Sequence, residues 1–123
     1  MALIRSKDTQ FELRVRSALH KLGYRYRKHG KNLPGRPDLV FASRRKVIFL
    51  NGCFWHGHRC HLFRMPKSRP EYWIPKIEGN RLRDRRNLRE LKKAGWTPLT
   101  VWECELAKFD LLISRVERFL QDH

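Results

Sequence analysis

Three thiols and an imidazole place the tightest constraint on this chain. Cys53, His58 and Cys60 fall within eight residues, in the spacing Cys-x4-His-x-Cys, and Cys104 lies far downstream. Three cysteines cannot all pair within one chain, and in a reducing cytosol they read as metal ligands or buried thiols rather than as a disulfide framework. Zinc favours four tetrahedral sulfur and nitrogen ligands, and three thiolates with one imidazole is a common structural set. If these four residues share one ion, the end of one apolar run, VIFL (47–50), must meet the end of another, TPLTVW (97–102). A closed set leaves no open coordination position, so such a zinc is structural. The competing reading leaves buried free thiols and surface histidines. Either way His56 and His61 remain. His56 stands three residues past Cys53, on a loop that the metal would pin beside a strand end, where catalytic groups tend to gather.

The remaining pattern alternates helix and strand. Thr9-Gln-Phe-Glu12 matches a capping box, and Phe11, Val15, Ala18, Leu19 and Leu22 follow with helical spacing until Gly23. YRYRK (24–28) reads as a strand, HGKNLPGR as a basic loop, PDLVF (37–41) as a buried strand, SRRK as a turn and VIFL (47–50) as a third strand. A helix over about 76–94, stopped by Gly95, places Ile77, Asn80, Asp84, Leu88 and Leu91 on one face, with two polar residues on an apolar stripe. TPLTVW (97–102) is a fourth strand, and a last helix over about 106–121 buries Phe109, Leu112, Ile113, Val116 and Leu120. The expected fold class is α/β: one domain over 1–123, with a mixed sheet in which a helix crosses between the third and fourth strands.

Charge indicates the partner. Twenty-eight Lys and Arg against twelve Asp and Glu give a formal net charge of +16. That excess points to a polyanion, most simply nucleic acid, although the sign alone does not separate DNA from RNA. Arginine outnumbers lysine, which favours bidentate phosphate contacts. Lys31 and Arg36 in the basic loop, and Arg81 and Arg85 in NRLRDRR, are the candidate contacts. The amino-terminal MALIRSKD lacks the apolar run of a signal peptide and no stretch approaches a membrane span, so a cytoplasmic protein is expected.

Asp38 follows Pro37 and enters an apolar strand, where an acid is costly unless it is paired or binds a cation. Pro-Asp opening the second strand of an α-β-β-β-α-β core resembles the PD-(D/E)xK nucleases and their restriction-endonuclease-like fold, a mixed β-sheet flanked by helices. The next strand reads IFLNG, without the second carboxylate and lysine of that pattern. A narrower resemblance covers the gap. PGRPD (34–38), VIFLNGCFWHGHRC (47–60), WIPKI (73–77), NRLRDRR (80–86) and VWEC (101–104) look like the very short patch repair endonucleases, bacterial DNA nickases acting at T:G mismatches.

The resemblance implies a site. Asp38 and the main-chain carbonyl of Leu50 would bind Mg²⁺, His56 would be the catalytic histidine, and Glu12, Asp84 and Asn80 would complete the polar ring. Cys53, His58, Cys60 and Cys104 would hold structural zinc, and Phe54 and Trp55 would wedge into the base stack. Either Asp84 or Glu12 would orient the imidazole or hold metal-bound waters. Structural readings compete: Glu12 as a cap, Asp84 paired with Arg81 or Arg85, and the two aromatics as core. Leu50 and Asn51 stand where a Thr-His pair is expected, and the family's basic amino-terminal helix would end at about where this sequence starts. The expected activity is Mg²⁺-dependent nicking of double-stranded DNA by a monomer, without membrane association. Restriction- or homing-type cleavage, or zinc-stabilised binding without turnover, are the alternatives.

Overall fold

The third strand feeds two layers at once. In the computed structural model, which describes residues 9–60 and 63–122, this strand, β3 (Lys46–Asn51), lies between β2 (Leu39–Phe41) and β4 (Thr97–Trp102). With β1 (Arg27–Lys28) they form a four-stranded sheet in the order β1-β2-β3-β4. β1 and β2 pair antiparallel, as do β2 and β3, whereas β3 and β4 run parallel, Leu50 opposite Val101 and Asn51 opposite Trp102. A parallel neighbour requires a crossover, and helix α2 (Pro70–Lys93) supplies it. Helices α1 (Gln10–Lys21) and α3 (Phe109–Gln121) complete the α/β layout expected from sequence.

Strand side chains alternate between faces. Ile48 and Leu50 join Leu39, Phe41 and Val101 against Phe11, Val15 and Leu19 of α1 and Leu112, Val116 and Leu120 of α3. On the opposite face Val47 packs with Val40 and with Leu91 of α2, flanked by Phe49 and Trp96. Ile77, Asp84 and Leu91 are spaced by seven, two turns apart, so they share the sheet-facing side of α2. Only Ile77 and Leu91 are buried among the described residues of that helix. Its apolar anchors therefore lie towards its ends, with polar side chains between them.

Several boundaries differ from the sequence reading. The first strand shrinks to two residues, because Tyr24 and Tyr26 turn onto the α1–α3 core and the Tyr26 hydroxyl donates to the Arg16 carbonyl at 3.2 Å. Leu22 caps α1 and is exposed rather than buried. The SRRK turn is a 3₁₀ turn, Ala42–Arg44, closed by Arg45 in the left-handed region. Helix α2 begins at Pro70, six residues before the expected start. Pro70 suits a first helical position, and Pro75, still near the start of the helix, removes its N–H donor and crowds the Glu71 carbonyl one turn back. The last helix starts at Phe109, because Glu103–Lys108 form a 3₁₀ segment in which the Glu105 carboxylate accepts from the Trp102 N–H at 2.8 Å. Lys46, unmarked in the sequence, is buried, and its ammonium donates to the carbonyls of Phe119 and Asp122 at the end of α3. Among the described residues no helix is long and apolar enough to cross a membrane.

Candidate active site and metal centre

Asp38 reaches its position because β2 begins one residue later and pairs with β3. Its Oδ2 accepts the Leu50 N–H at 2.6 Å. Burial drives its pKa up from 3.8 to about 6; the Leu50 hydrogen bond opposes this, the charge of Glu12 adds to it, and His56 and Arg16 pull it down. Glu12 is itself buried, with the Arg16 guanidinium 3.7 Å away, one helical turn on. The Thr9 hydroxyl accepts the Glu12 N–H at 3.2 Å, so Glu12 belongs to the helix cap and also stands beside the Asp38 carboxylate.

His56 comes from the loop after β3. Its Nδ1 lies 2.6 Å from Asp84 Oδ2, on the middle of the α2 sheet-facing side. A carboxylate there fixes Nδ1 as the protonated nitrogen and leaves the Nε2 lone pair free to accept a proton. Asp84 is thus the carboxylate at the imidazole, and Glu12 the one beside Asp38. Asp38, Glu12, Leu50, His56 and Asp84 line one cavity of about 480 Å³.

The loop is held from α2. Asn80 Nδ2 donates to the Trp55 carbonyl at 2.7 Å and its Oδ1 accepts from Arg83, so Asn80 positions the backbone next to His56. Arg81 Nε donates to the Gly57 carbonyl at 3.1 Å, and its guanidinium pairs with Glu78 at 3.0 Å. The candidate phosphate contact Arg81 is thus engaged within the chain, while Asp84 pairs with histidine rather than with an arginine. Gly57 has φ +60, and a Cβ there would lie 2.5 Å from Arg81 Nε and 2.6 Å from Ile77 Cγ2. Only glycine lets α2 approach this closely.

The metal-ligand set assembles as the parallel pairing requires. Donor atoms of Cys53, His58, Cys60 and Cys104 all lie within 4.8 Å of one another. His58 Nδ1 is 3.6 Å from both Cys53 Sγ and Cys104 Sγ. Zn–S and Zn–N bonds of about 2.3 and 2.0–2.1 Å give a tetrahedral edge of about 3.5–3.6 Å, so the donor set fits zinc. Burial pushes the Cys53 and Cys104 thiols up and the His58 imidazole down. The His58 ring stacks on Trp102, centroids 4.0 Å apart and 8° from parallel. His61 lies outside the described residues.

Phe54 and Trp55 stay out of the sheet's two cores. Phe54 meets Trp55 and Trp73 edge to face, at 5.5 and 5.2 Å between centroids. Both remain half-buried, and Trp55 Nε1 is buried without a hydrogen-bond partner. Lys31 is exposed and away from the cavities, Arg36 lines the Asp38 cavity, and Arg85 lines a second one. The sequence reading missed Glu103, which lines the Asp38 cavity and whose Oε1 accepts the Cys53 N–H at 3.4 Å. Its position one residue before Cys104 was the available signal.

Comparison with known proteins identifies the family. Residues 1–62 match the family described as DNA mismatch endonuclease Vsr. The type II nicking enzyme V.XorIIP of Xanthomonas oryzae pv. oryzae is 52% identical over 120 residues, 98% of this chain and 88% of its own. The type II nicking enzyme V.NmeAIP of Neisseria meningitidis serogroup A is 41% identical over 122 residues, 99% of this chain and 87% of its own. The DNA mismatch endonuclease Vsr of Escherichia coli K12 is 47% identical over 106 residues, 86% of this chain and 68% of its own. With a half-buried aspartate and a histidine paired to a carboxylate on one cavity of a restriction-endonuclease-like fold, the chain is a DNA endonuclease and belongs to the DNA mismatch endonuclease Vsr family.

Proposed function

We propose that this endonuclease nicks one strand of duplex DNA at T:G mismatches, acting as a single-domain monomer over 1–123 in the bacterial cytoplasm. The observation that carries the reading is the shared cavity of Asp38 and the His56–Asp84 pair. Asp38 and the Leu50 carbonyl would hold Mg²⁺, and Cys53, His58, Cys60 and Cys104 would hold Zn²⁺. A half-buried carboxylate raised to about 6 beside a second acid is short of positive charge, which suits a divalent cation. When bound, Mg²⁺ offsets charge on the scissile phosphate.

The chain's own groups do the rest. His56 Nε2 accepts the proton of the attacking water, and Asp84 stabilises the imidazolium through Nδ1–H. Glu12 holds polar or hydrated groups on the Asp38 side. Asn80 and Arg81 keep the His56 loop against α2. Lys31, Arg36 and Arg85 contact phosphates, and Phe54 and Trp55 enter the stack at the mismatch, where opening costs least. A metal-stiffened loop that carries both aromatics and the histidine couples mismatch entry to proton transfer.

A second reading keeps the chemistry and changes the target, favoured by relatives named for nicking rather than for mismatches. A panel of T:G and fully paired duplexes in Mg²⁺, with EDTA as control, separates the two. Nicking confined to T:G duplexes supports the first, nicking of paired duplexes supports the second, and no metal-dependent nicking of either rejects both.

A further inference from the structure

Two cavities meet at the His56–Asp84 pair. The second, about 420 Å³, opens beyond His56 and is lined in part by Arg85, one of the phosphate contacts proposed above. Its walls include Arg59 and Arg85, both exposed, and among the described residues neither has a carboxylate or carbonyl partner. Arg81 on the same wall is committed to Gly57 and Glu78. Asn51, His56 and Asp84 line both cavities and form the partition between them.

Asn51 ends β3 on the α2-facing side, in step with Val47 and Phe49. It is 7% exposed, and its carboxamide has no hydrogen-bond partner among the described residues. The carboxamide atoms stay open to the cavity, so a ligand lodged there can reach them. Asp84 is held by His56, so the unpaired groups facing this cavity include two guanidinium cations, the Asn51 carboxamide and the Thr100 hydroxyl. Such a set matches a phosphodiester: the guanidinium forks take non-bridging oxygens and the amide donates to one of them.

We propose that the second cavity is a phosphate subsite for the nucleotide next to the scissile bond, with Arg59 and Arg85 as its clamp and Asn51 Nδ2 as its neutral donor. This rests on assigning the scissile phosphate to the Asp38 cavity: a strand leaving that cavity crosses the Asn51–His56–Asp84 partition and lays its next phosphate between the arginines. Fixing that neighbour orients the scissile ester towards His56. Asn51, Arg59 and Arg85 are therefore positioning residues.

The test crosses protein variants with uncharged DNA. Zinc-loaded wild type, Asn51→Ala and the pair Arg59→Gln/Arg85→Gln are titrated by fluorescence anisotropy against T:G duplexes in Ca²⁺. Each duplex is either unmodified or carries one methylphosphonate at a phosphate flanking the reactive one. Loss of the arginines is expected to weaken binding of unmodified duplex about tenfold. One flanking methylphosphonate should cost wild type a similar factor, cost Asn51→Ala somewhat less, and cost the arginine double variant almost nothing more. Losses that multiply at both flanking positions, or variants that bind like wild type, overturn the subsite. If a variant misfolds, the methylphosphonate series on wild type still decides: a loss at one flanking position supports the subsite, and no loss at either overturns it. Wild-type failure to nick T:G duplexes would reject the proposed function but leave this binding cycle readable on any duplex the protein holds.

Discussion

The two faces of the sheet differ in what their helices bring to them. Against α1 and α3, the strands meet a run of aliphatic and aromatic side chains with Val15, Leu19 and Val116 at 0% exposure. Against α2, the same strands meet Leu91 and Ile77 towards the ends of the helix and, between them, Asp84, Asn87 and Leu88. β3 serves both: Ile48 and Leu50 enter the first face, Val47, Phe49 and Asn51 the second. Stability is concentrated on the face that excludes water, and the face given up to polar groups holds the imidazole and its orienting acid. Leu50 joins them, since its side chain belongs to the core while its N–H holds Asp38.

The division predicts opposite phenotypes for changes on the two faces. Asp84→Asn should lower the nicking rate by about 10²–10⁴-fold, since the imidazole loses the acid that sets its tautomer. The same change should leave the urea midpoint nearly in place, because Asp84 is half exposed. Leu112→Ala should cost about 2–5 kcal/mol in urea unfolding and leave the per-molecule rate intact well below the melting temperature. A rate loss for Leu112→Ala equal to that for Asp84→Asn would break the division.

Asp38 sharpens the contrast, because it belongs to the site yet opposes folding. Its pKa is raised from 3.8 to about 6, so between those values the folded chain keeps a proton that the unfolded chain releases. Stability therefore falls as pH rises through this window and stays lower above it, by up to about 3 kcal/mol. Asparagine can still accept the Leu50 N–H and carries no charge. Asp38→Asn should raise the melting temperature at pH 7.5 without Mg²⁺, lose the gain near pH 4, and abolish nicking. Thermal melts at the two pH values check this.

Gly57→Ala should cost about 1–3 kcal/mol, from the strained φ and the collision with Ile77 and Arg81. Arg81→Met should loosen the loop and slow nicking more than it weakens DNA binding, which separates its brace role from a phosphate contact. The smallest effect belongs to exposed Lys31. Lys31→Gln should flatten the log-affinity against log-salt slope by about 0.9 if it neutralises one duplex phosphate, and by nothing otherwise.

Sequence pattern was sufficient where one residue set answered one requirement. TPLTVW is β4 to the residue, because an apolar run after a helix-ending glycine has few alternatives. The α2 face carrying Ile77, Asn80, Asp84 and Leu91 follows from helical spacing alone. What escaped depends on contacts between distant segments. Periodicity puts Asp84 on the inner face but does not name His56 as its partner, and basic composition does not separate Arg81, engaged by Gly57, from Arg85, which faces a cavity. The early start of α2 escaped because Pro75 looks like a barrier, and the helix tolerates it near its start. The split between Glu12 and Asp84 needed the fold, since either carboxylate suits either role.

The most direct test of the shared cavity is a kinetic cycle on one T:G duplex in Mg²⁺, with wild type, Asp38→Asn, His56→Ala and the double variant. If both groups act on the same phosphodiester, each single change should slow nicking by at least about 10²-fold, and the double variant should be little worse than the slower single. Single variants that both nick like wild type, with melting curves showing them folded, would contradict it.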